Sequence, residues 1–305
     1  MNNHTIRHYM NGKDWALLLL LSTMWGGSFI FMELTIPHFP TLTIVATRVT
    51  LAALALNSLW LIRREKFHYN FQVWKSFVIV GITGNVIPFS LFVWGQEHIT
   101  AGLSSILNGT VPFFTVLGIY FFTRDEKMDL SRALGLLIGF VGVITIIGPS
   151  ALAQQHTYIW RELAPLAAAI CYAFALLYAK RFVRMGVPAI HVATGQLTCS
   201  AIILVPIALL LEKPWATATP EFTSVSALLA LGLISTGLAL SIYYRMLNTV
   251  GASNTSLVTF LMPISANIMA VTFLGEVLEI TEILGMGLIF IGLFIMNRYW
   301  QVFVK

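Results

Sequence analysis

The sequence predicts an all-α membrane protein: ten transmembrane helices arranged as two inverted five-helix repeats, with the N- and C-termini cytoplasmic. Three observations carry that reading. The 305 residues are 57% hydrophobic and only 10% charged, with a mean hydropathy of +0.82, which no ordinary soluble domain approaches. Ten apolar runs of roughly 18 to 24 residues are each long enough to cross about 30 Å of hydrocarbon as a helix. Finally, one stretch occurs twice: AGLSSILNGTVPFFTVLGIYFFTRDE at 101–126 returns as ASNTSLVTFLMPISANIMAVTFLGE at 252–276.

Overlaid, the two copies put Ala101 on Ala252, Ser105 on Ser256 and Pro112 on Pro263 without a gap. A slip of one residue then brings Glu126 onto Glu276, Gly135 onto Gly285 and Gly142 onto Gly292, and the same register runs back to Gly81 and Gly232. Self-similarity over so much of each half is architectural. It divides the chain into a first repeat at 1–150 and a second at 159–305.

The apolar runs begin near Trp15, Thr41, Trp74, Thr100, Leu130, Glu162, Ala189, Ser224, Ala252 and Ile280. The first follows Arg7 and Lys13, as a signal peptide would, but it is too long and has no small-residue cleavage site, so it reads as a retained helix. Short connections carry the breakers Pro37, Pro40, Pro149, Pro188, Pro214 and Pro220. Lys and Arg then orient the chain, because translocated loops keep few of them. With the N-terminus inside, fifteen of the eighteen fall in inner segments; Arg161 and Lys213 fall outside, and Arg48 lies within the second helix. Five helices per half is an odd number, so the second half must enter the membrane upside down. The loops agree: Arg124, Lys127 and Arg132 follow the fourth helix, whereas Glu276, Glu279 and Glu282 follow the ninth. Trp15, Trp60, Trp74, Trp215 and Trp300 lie near helix ends as interfacial anchors.

Several classes are excluded. A net charge of +5 and a pI near 9.3 would suit nucleic acid, but the basic residues form no stripe, and no nucleic-acid partner is expected. Cys171 and Cys199 lie inside apolar runs, in neither a disulfide framework nor a metal-ligand spacing. No GxSxG, HExxH or P-loop pattern occurs, so the chain reads as a non-enzyme with no catalytic residues, metal or cofactor. The sequons at Asn108 and Asn254 sit inside apolar helices and are not acceptor sites.

Polar groups inside a membrane helix must bond to something or face water. Asn85 stands beside Pro88 in the third helix, and Ser104, Asn108 and Pro112, spaced by four, share one face of the fourth. Thr255, Thr259 and Pro263 repeat that face in the ninth. Such faces either line a polar pathway or bind helices together. Pro112 and Pro263 each remove a helix hydrogen bond, so each is a candidate hinge. Arg48 is the one cation well inside a helix. Its expected partner is Glu33, in a structural ion pair, with a substrate carboxylate as the alternative; Glu33 is also a candidate carrier of a coupling proton. Trp25, Trp94, Tyr172 and Tyr243 offer faces on which a ring or a cation can stack. Gly135 and Gly139, and Gly285 with Gly292, mark close packing of the fifth and tenth helices.

These residues resemble the EamA-type transporters of the drug/metabolite transporter superfamily. The match runs through Trp25, Gly26, Ser28, Phe29, Arg48, Trp94, His98, Ile99, Ala101, Gly102, Pro112, Gly135 and Gly142, and in the second half through Ala252, Pro263, Gly275, Glu276, Gly285 and Gly292. Cys171 and Tyr172 replace Trp25 in the second repeat and Gln196 replaces Arg48, so those two positions differ between the halves. The resemblance implies a cavity lined by helices 1, 3, 4, 6, 8 and 9, with helices 5 and 10 as packing struts. It implies export of small metabolites, foremost amino acids or related compounds, across a bacterial inner membrane by alternating access. A drug or nucleotide-type permease with proton coupling is the alternative; an intramembrane enzyme or receptor is a remote one.

Overall fold

The computed structural model describes residues 10–62, 69–123, 129–152, 156–216 and 219–296. Among the described residues there is helix and no strand. Ten apolar helices follow one another: α1 (Gly12–Thr35), α2 (Thr41–Ile62), α3 (Phe71–Gln96), α4 (Ala101–Phe121), α5 (Leu130–Gly148), α6 (Ile159–Arg184), α7 (Ala189–Leu211), α8 (Phe222–Gly251), α9 (Val258–Leu274) and α10 (Ile280–Met296). The first eight are long and apolar enough to cross a membrane, and α9 and α10 are shorter apolar helices. Arg7, Arg63, Arg64, Lys66, Arg124, Glu126, Lys127, Arg298, Trp300 and Lys305, which entered the charge, repeat and anchor arguments, lie outside the described residues.

Local chemistry fixes where the helices start. Asn11 and Asp14 form a reciprocal capping box at α1, each side chain accepting the other's backbone N–H at 3.0 Å. Asn70 caps the first turn of α3, and Thr100 that of α4. Two further caps come from distant carboxylates. Glu212 accepts the N–H groups of Leu42 and Thr43 at the start of α2, at 2.8 and 2.6 Å, and Glu276 accepts those of Ala101 and Gly102 at the start of α4, at 2.9 and 3.0 Å. Orphan amides and the positive end of the helix dipole make these favourable seats for an anion.

The halves are inverted, and two self-paired sets of helices show it directly. In α5 and α10, Gly135 approaches Gly292 and Gly142 approaches Gly285, so closely that a Cβ at any of the four would sit 2.5 to 2.7 Å from the facing carbonyl oxygen. The start of one helix meets the end of the other, so these repeat-related helices run antiparallel. The same holds for α2 and α7, where Thr43 meets Glu212 at one end and the Asn57 amide donates to Thr198 Oγ1 at 2.9 Å nearer the other. The remaining contacts obey the same exchange: α1 packs on α9 and α8, and α6 packs on α4 and α3.

Among the described residues four π-helical segments occur: Ile82–Val86 and Leu233–Leu238 lie within α3 and α8, and Ile119–Thr123 and Ala270–Leu274 lie at the ends of α4 and α9. They fall in register between the repeats. Wide turns of this kind shift the face that a helix presents and recur at functional positions.

The ninth run starts as expected: the helix breaks at Gly251, whose φ of 81° and ψ of 172° only glycine adopts without strain, and a new helical segment opens at Ala252. The two prolines differ. The interruption in α4 lies at Gly109–Thr110, directly before Pro112, which opens the segment that follows. The interruption before α9 lies at Ser256–Leu257, and Pro263 sits within helix. Proline has no N–H to lose at the start of a helical segment, so Pro112 is well placed there.

We call the face at which α1 begins the near face and the opposite one the far face. In the far half one apolar cluster joins α1, α3, α4, α6, α8 and α9, through Phe29, Phe92, Ala101, Ala168, Leu231 and Ala266 among others. In the near half the core splits. Leu18, Leu21, Met246 and Val258 hold α1, α8 and α9 together, and Val73, Phe77, Phe182 and Val192 hold α3, α6 and α7.

Candidate functional site and relatives

Trp25 packs against both the far cluster and the near cluster of α1, α8 and α9, so it marks the depth at which the single core divides. That point lies about 20 Å along α1 at 1.5 Å per residue. Its ring centroid is 5.4 Å from Tyr243, and Tyr243 in turn lies 5.3 Å from Tyr244. On the other half, Tyr172 of α6 lies 6.0 Å from Phe92 and 6.5 Å from Phe89, both on α3. Among the described residues, the Trp25 indole N–H and the hydroxyls of Tyr172, Tyr243 and Tyr244 make no hydrogen bond to protein. Amphipathic rings arranged in this way give apolar faces with polar edges still to be satisfied.

Arg48 lies deeper toward the far face than Trp25, since its contacts Met32 and Thr236 each stand seven residues, about 10 Å, beyond Trp25 and Tyr243, and it is only 5% exposed. Its Nε donates to Thr236 Oγ1 at 2.9 Å, one Nη1 hydrogen is directed at Met32 Sδ at 3.6 Å, and the guanidinium carbon lies 3.7 Å from the centroid of the Phe89 ring. The expected ion pair with Glu33 is not formed. Met32 and Glu33 are consecutive and therefore about 100° apart around α1, and the rotation of the helix turns Met32 toward Arg48. Glu33 accepts instead from Gln96 Nε2 at 3.2 Å, the same nitrogen that donates to Phe29 O at 2.9 Å. An unpaired buried cation costs several kcal/mol. A desolvated cation–π contact returns about 2 kcal/mol and a hydrogen bond about 1 kcal/mol, so Arg48 keeps a strong residual attraction for an anion.

The polar faces of α4 and α9 differ. Ser104 is fully buried, and among the described residues its hydroxyl has no partner. Asn108 directs its Nδ2 at Met262 Sδ, 3.8 Å away, and its Oδ1 is likewise unpartnered. In the second half, Thr255 Oγ1 donates to Gly251 O at 2.8 Å and Thr259 Oγ1 to Ser256 O at 2.7 Å, so both hydroxyl protons are committed to their own backbone. Asn85, in the π segment of α3, donates to Ser200 Oγ at 3.1 Å and ties α3 to α7. Trp94 stands apart from the other aromatics. It sits at the far end of α3 under the guanidinium of Arg161, which also binds the Trp94 carbonyl and Glu97 Oε2.

Comparison with known proteins now bears on this geometry. The profile of the EamA-like transporter family matches the chain twice, over residues 14–148 and 159–298. The chain belongs to that family. Among its relatives is an uncharacterized transporter of Bacillus subtilis (strain 168), 27% identical over 92% of this chain and 95% of that one. A second, from Salmonella typhimurium, is named "Probable amino-acid metabolite efflux pump" and is 26% identical over 94% of this chain and 95% of its own. A third, from Streptantibioticus cattleyicolor, is named "Probable terminal-alkyne amino-acid exporter" and is 26% identical, covering 93% of each chain. A solved crystal structure superposes with a TM-score of 0.66 over 95% of this chain and 99% of that one at 18% identity, which supports the fold alone. This EamA-like protein is thus a multi-pass membrane transporter for small molecules, and its apolar helices face lipid.

Reading the sequence missed four participants in the site of this EamA-like transporter: Phe89, Phe92, Met32 and the capping role of Glu276. The paired stretches ITGNV and LISTGL, which align in the two repeats and form π segments, carried a usable signal. Thr236 stands in the second of them and holds Arg48.

Proposed function

We propose that this transporter exports amino acids or related metabolites by alternating access, with its termini in the cytoplasm and its two inverted halves rocking about a site near the membrane midplane. The observation that carries this reading is the asymmetry between the faces. The far ends of α1, α3, α4, α6, α8 and α9 share one core, while the near ends form separate clusters. A pathway that starts between those clusters and stops at Trp25 is what the loading state of an exporter requires. The charge of the loops assigns the near face to the cytoplasm, and the names of two relatives favour amino acids as cargo. Trp25, Tyr172, Tyr243, Ser104 and Asn108 are the proposed contacts, because each leaves polar atoms or ring faces unused by the protein. Asn85 serves mainly to tie α3 to α7, Thr255 and Thr259 spend their hydroxyl protons on their own backbone, and Trp94 belongs to the far rim.

Proton coupling is a second reading with an observation behind it. Glu33 accepts from Gln96 at the end of α1, and Glu276 caps the start of α4, so two carboxylates stand at the end of the helices that the far cluster joins. Counterflow of a labelled amino-acid panel in liposomes containing the purified protein, with and without an imposed pH gradient, tests both readings. Protein-dependent exchange of at least one amino acid is expected; silence across the panel removes the amino-acid reading, and indifference to the gradient removes the coupling.

A further inference from the structure

We propose that Arg48 and Tyr172 together form the receptor for a single carboxylate on the transported molecule. The inference rests on the transport reading and narrows it to cargo with a free carboxylate. Arg48 is more than nine-tenths buried, and among the described residues no carboxylate pairs with it. A guanidinium has five N–H donors in a rigid fork. Here Nε is directed at Thr236 and one Nη1 hydrogen at a thioether sulfur, which accepts weakly. Thr236 donates its own proton to Leu231 O at 2.8 Å, so its oxygen can only accept from Arg48, which fixes the rotation of the fork. Phe89 covers one face. Three donors remain, one on Nη1 and two on Nη2, and a pair of parallel N–H groups on a guanidinium matches the two oxygens of a carboxylate.

Tyr172 adds a third donor. Its ring is held by Phe89 and Phe92, it lies within electrostatic reach of Arg48, and its hydroxyl has no hydrogen-bond partner among the described residues. The guanidinium supplies one positive charge and the phenol a neutral donor, and among the described residues Arg48 is the only buried Lys or Arg, so a monoanion fits better than a phosphate. The second repeat has Gln196 where the first has Arg48, so the chain carries one such receptor and not a symmetric pair.

The test compares acids with their amides, which differ in charge but hardly in shape. In detergent, millimolar phenylacetate is expected to raise the melting temperature of the full-length protein by roughly 2 °C or more, as site-specific binding does. Phenylacetamide is expected to leave it unchanged and the dianion benzylphosphonate to do less than the acid. Arg48→Gln should abolish the shift, and Arg48→Lys, which keeps a charge without the fork, should retain only part of it. In liposomes, unlabelled L-phenylalanine should compete with counterflow of the labelled compound at least tenfold better than L-phenylalaninamide. Equal stabilisation by acid and amide, or an undiminished acid effect in Arg48→Gln, overturns the receptor whatever the counterflow gives. Acid-selective, Arg48-dependent stabilisation with silent counterflow keeps the receptor and removes amino-acid export. If Arg48→Gln does not fold, the acid–amide comparison in the wild type and in Arg48→Lys decides.

Discussion

The far and near ends of the same six helices are built differently, although the repeat would allow them to match. At the far end, Glu276 reaches from beyond α9 to cap α4, Gln96 ties α3 to α1, and one apolar cluster runs through all six helices. At the near end, α1, α8 and α9 pack among themselves, and so do α3 and α6 with α7. Inverted repeats make the two ends interchangeable in principle, and on the proposed mechanism the difference between them describes one of two states. On the proposed mechanism, the opposite state dissolves the far cluster and joins the near ones. The elements common to both states are the self-paired ones, α5 with α10 and α2 with α7, whose contacts lie on the axis of exchange.

Two carboxylates that do the same chemical job separate these roles. Glu276 and Glu212 each accept two backbone N–H groups at a helix start. Charge-assisted bonds of this kind are each worth roughly 1.5 to 3 kcal/mol. Glu276 joins α4 to the end of α9, across the far gate, so Glu276→Gln should shift the balance toward the far-open state by about 1.5 to 3 kcal/mol, a factor of ten to a hundred. Labelling rates of a cysteine placed on the far side of the pathway should rise at least tenfold, with little loss of folded yield. Glu212 joins helices that stay paired, so Glu212→Gln should lower thermal stability and leave that labelling unchanged. If the two variants behave alike, the ends do not exchange as proposed.

The two polar faces sharpen the comparison within the pathway. Asn108→Leu removes an amide whose oxygen is free to bind a solute, and transport should fall roughly tenfold while folded yield stays near that of the wild type, the scale of a lost hydrogen bond of about 1.4 kcal/mol. Thr259→Val removes a hydroxyl already spent on Ser256 O and should reduce counterflow less, by about twofold. A larger loss at Thr259 than at Asn108 would reverse the assignment of pathway and packing faces.

Much of this was legible in the sequence because the repeat constrains it. Gly135, Gly142, Gly285 and Gly292 were matched by register alone, and they turned out to be the four residues of one reciprocal contact. Trp25, Tyr172 and Tyr243 were identifiable because large aromatic rings with polar edges are conspicuous in apolar helices. Rotation was not legible. Glu33 and Arg48 lie in adjacent helices at compatible depths, yet one step around α1 decides that Met32 faces the guanidinium, and no spacing in a helix that is apolar on all sides fixes that step. The π segments left only the pairing of ITGNV with LISTGL as a trace, since in helices apolar on all sides the rotation that an added residue brings makes no mark in the hydrophobic pattern. Proline was a partial guide to the interruptions: the one in α4 falls at Gly109–Thr110, directly before Pro112, whereas the one before α9 falls at Ser256–Leu257, away from Pro263.

The smallest expected effect belongs to Gln96. Its amide is buried and donates to Phe29 O at 2.9 Å and to Glu33 at 3.2 Å, so it links α3 to two turns of α1 at the far end and holds the Glu33 carboxylate in place. Gln96→Leu keeps the volume and removes both bonds. Leu can pack into the adjacent apolar cluster, which offsets part of the loss, and the net change should be about 1 kcal/mol, or a few-fold in the balance between states. The far-side cysteine should label two- to fivefold faster, well short of Glu276→Gln. If a double variant with Glu276→Gln shows the product of the two effects, the amide and the carboxylate act as separate ties between the halves. Less than the product would mean that Gln96 works through Glu33 and Glu276, and that the far seal is one hydrogen-bonded unit.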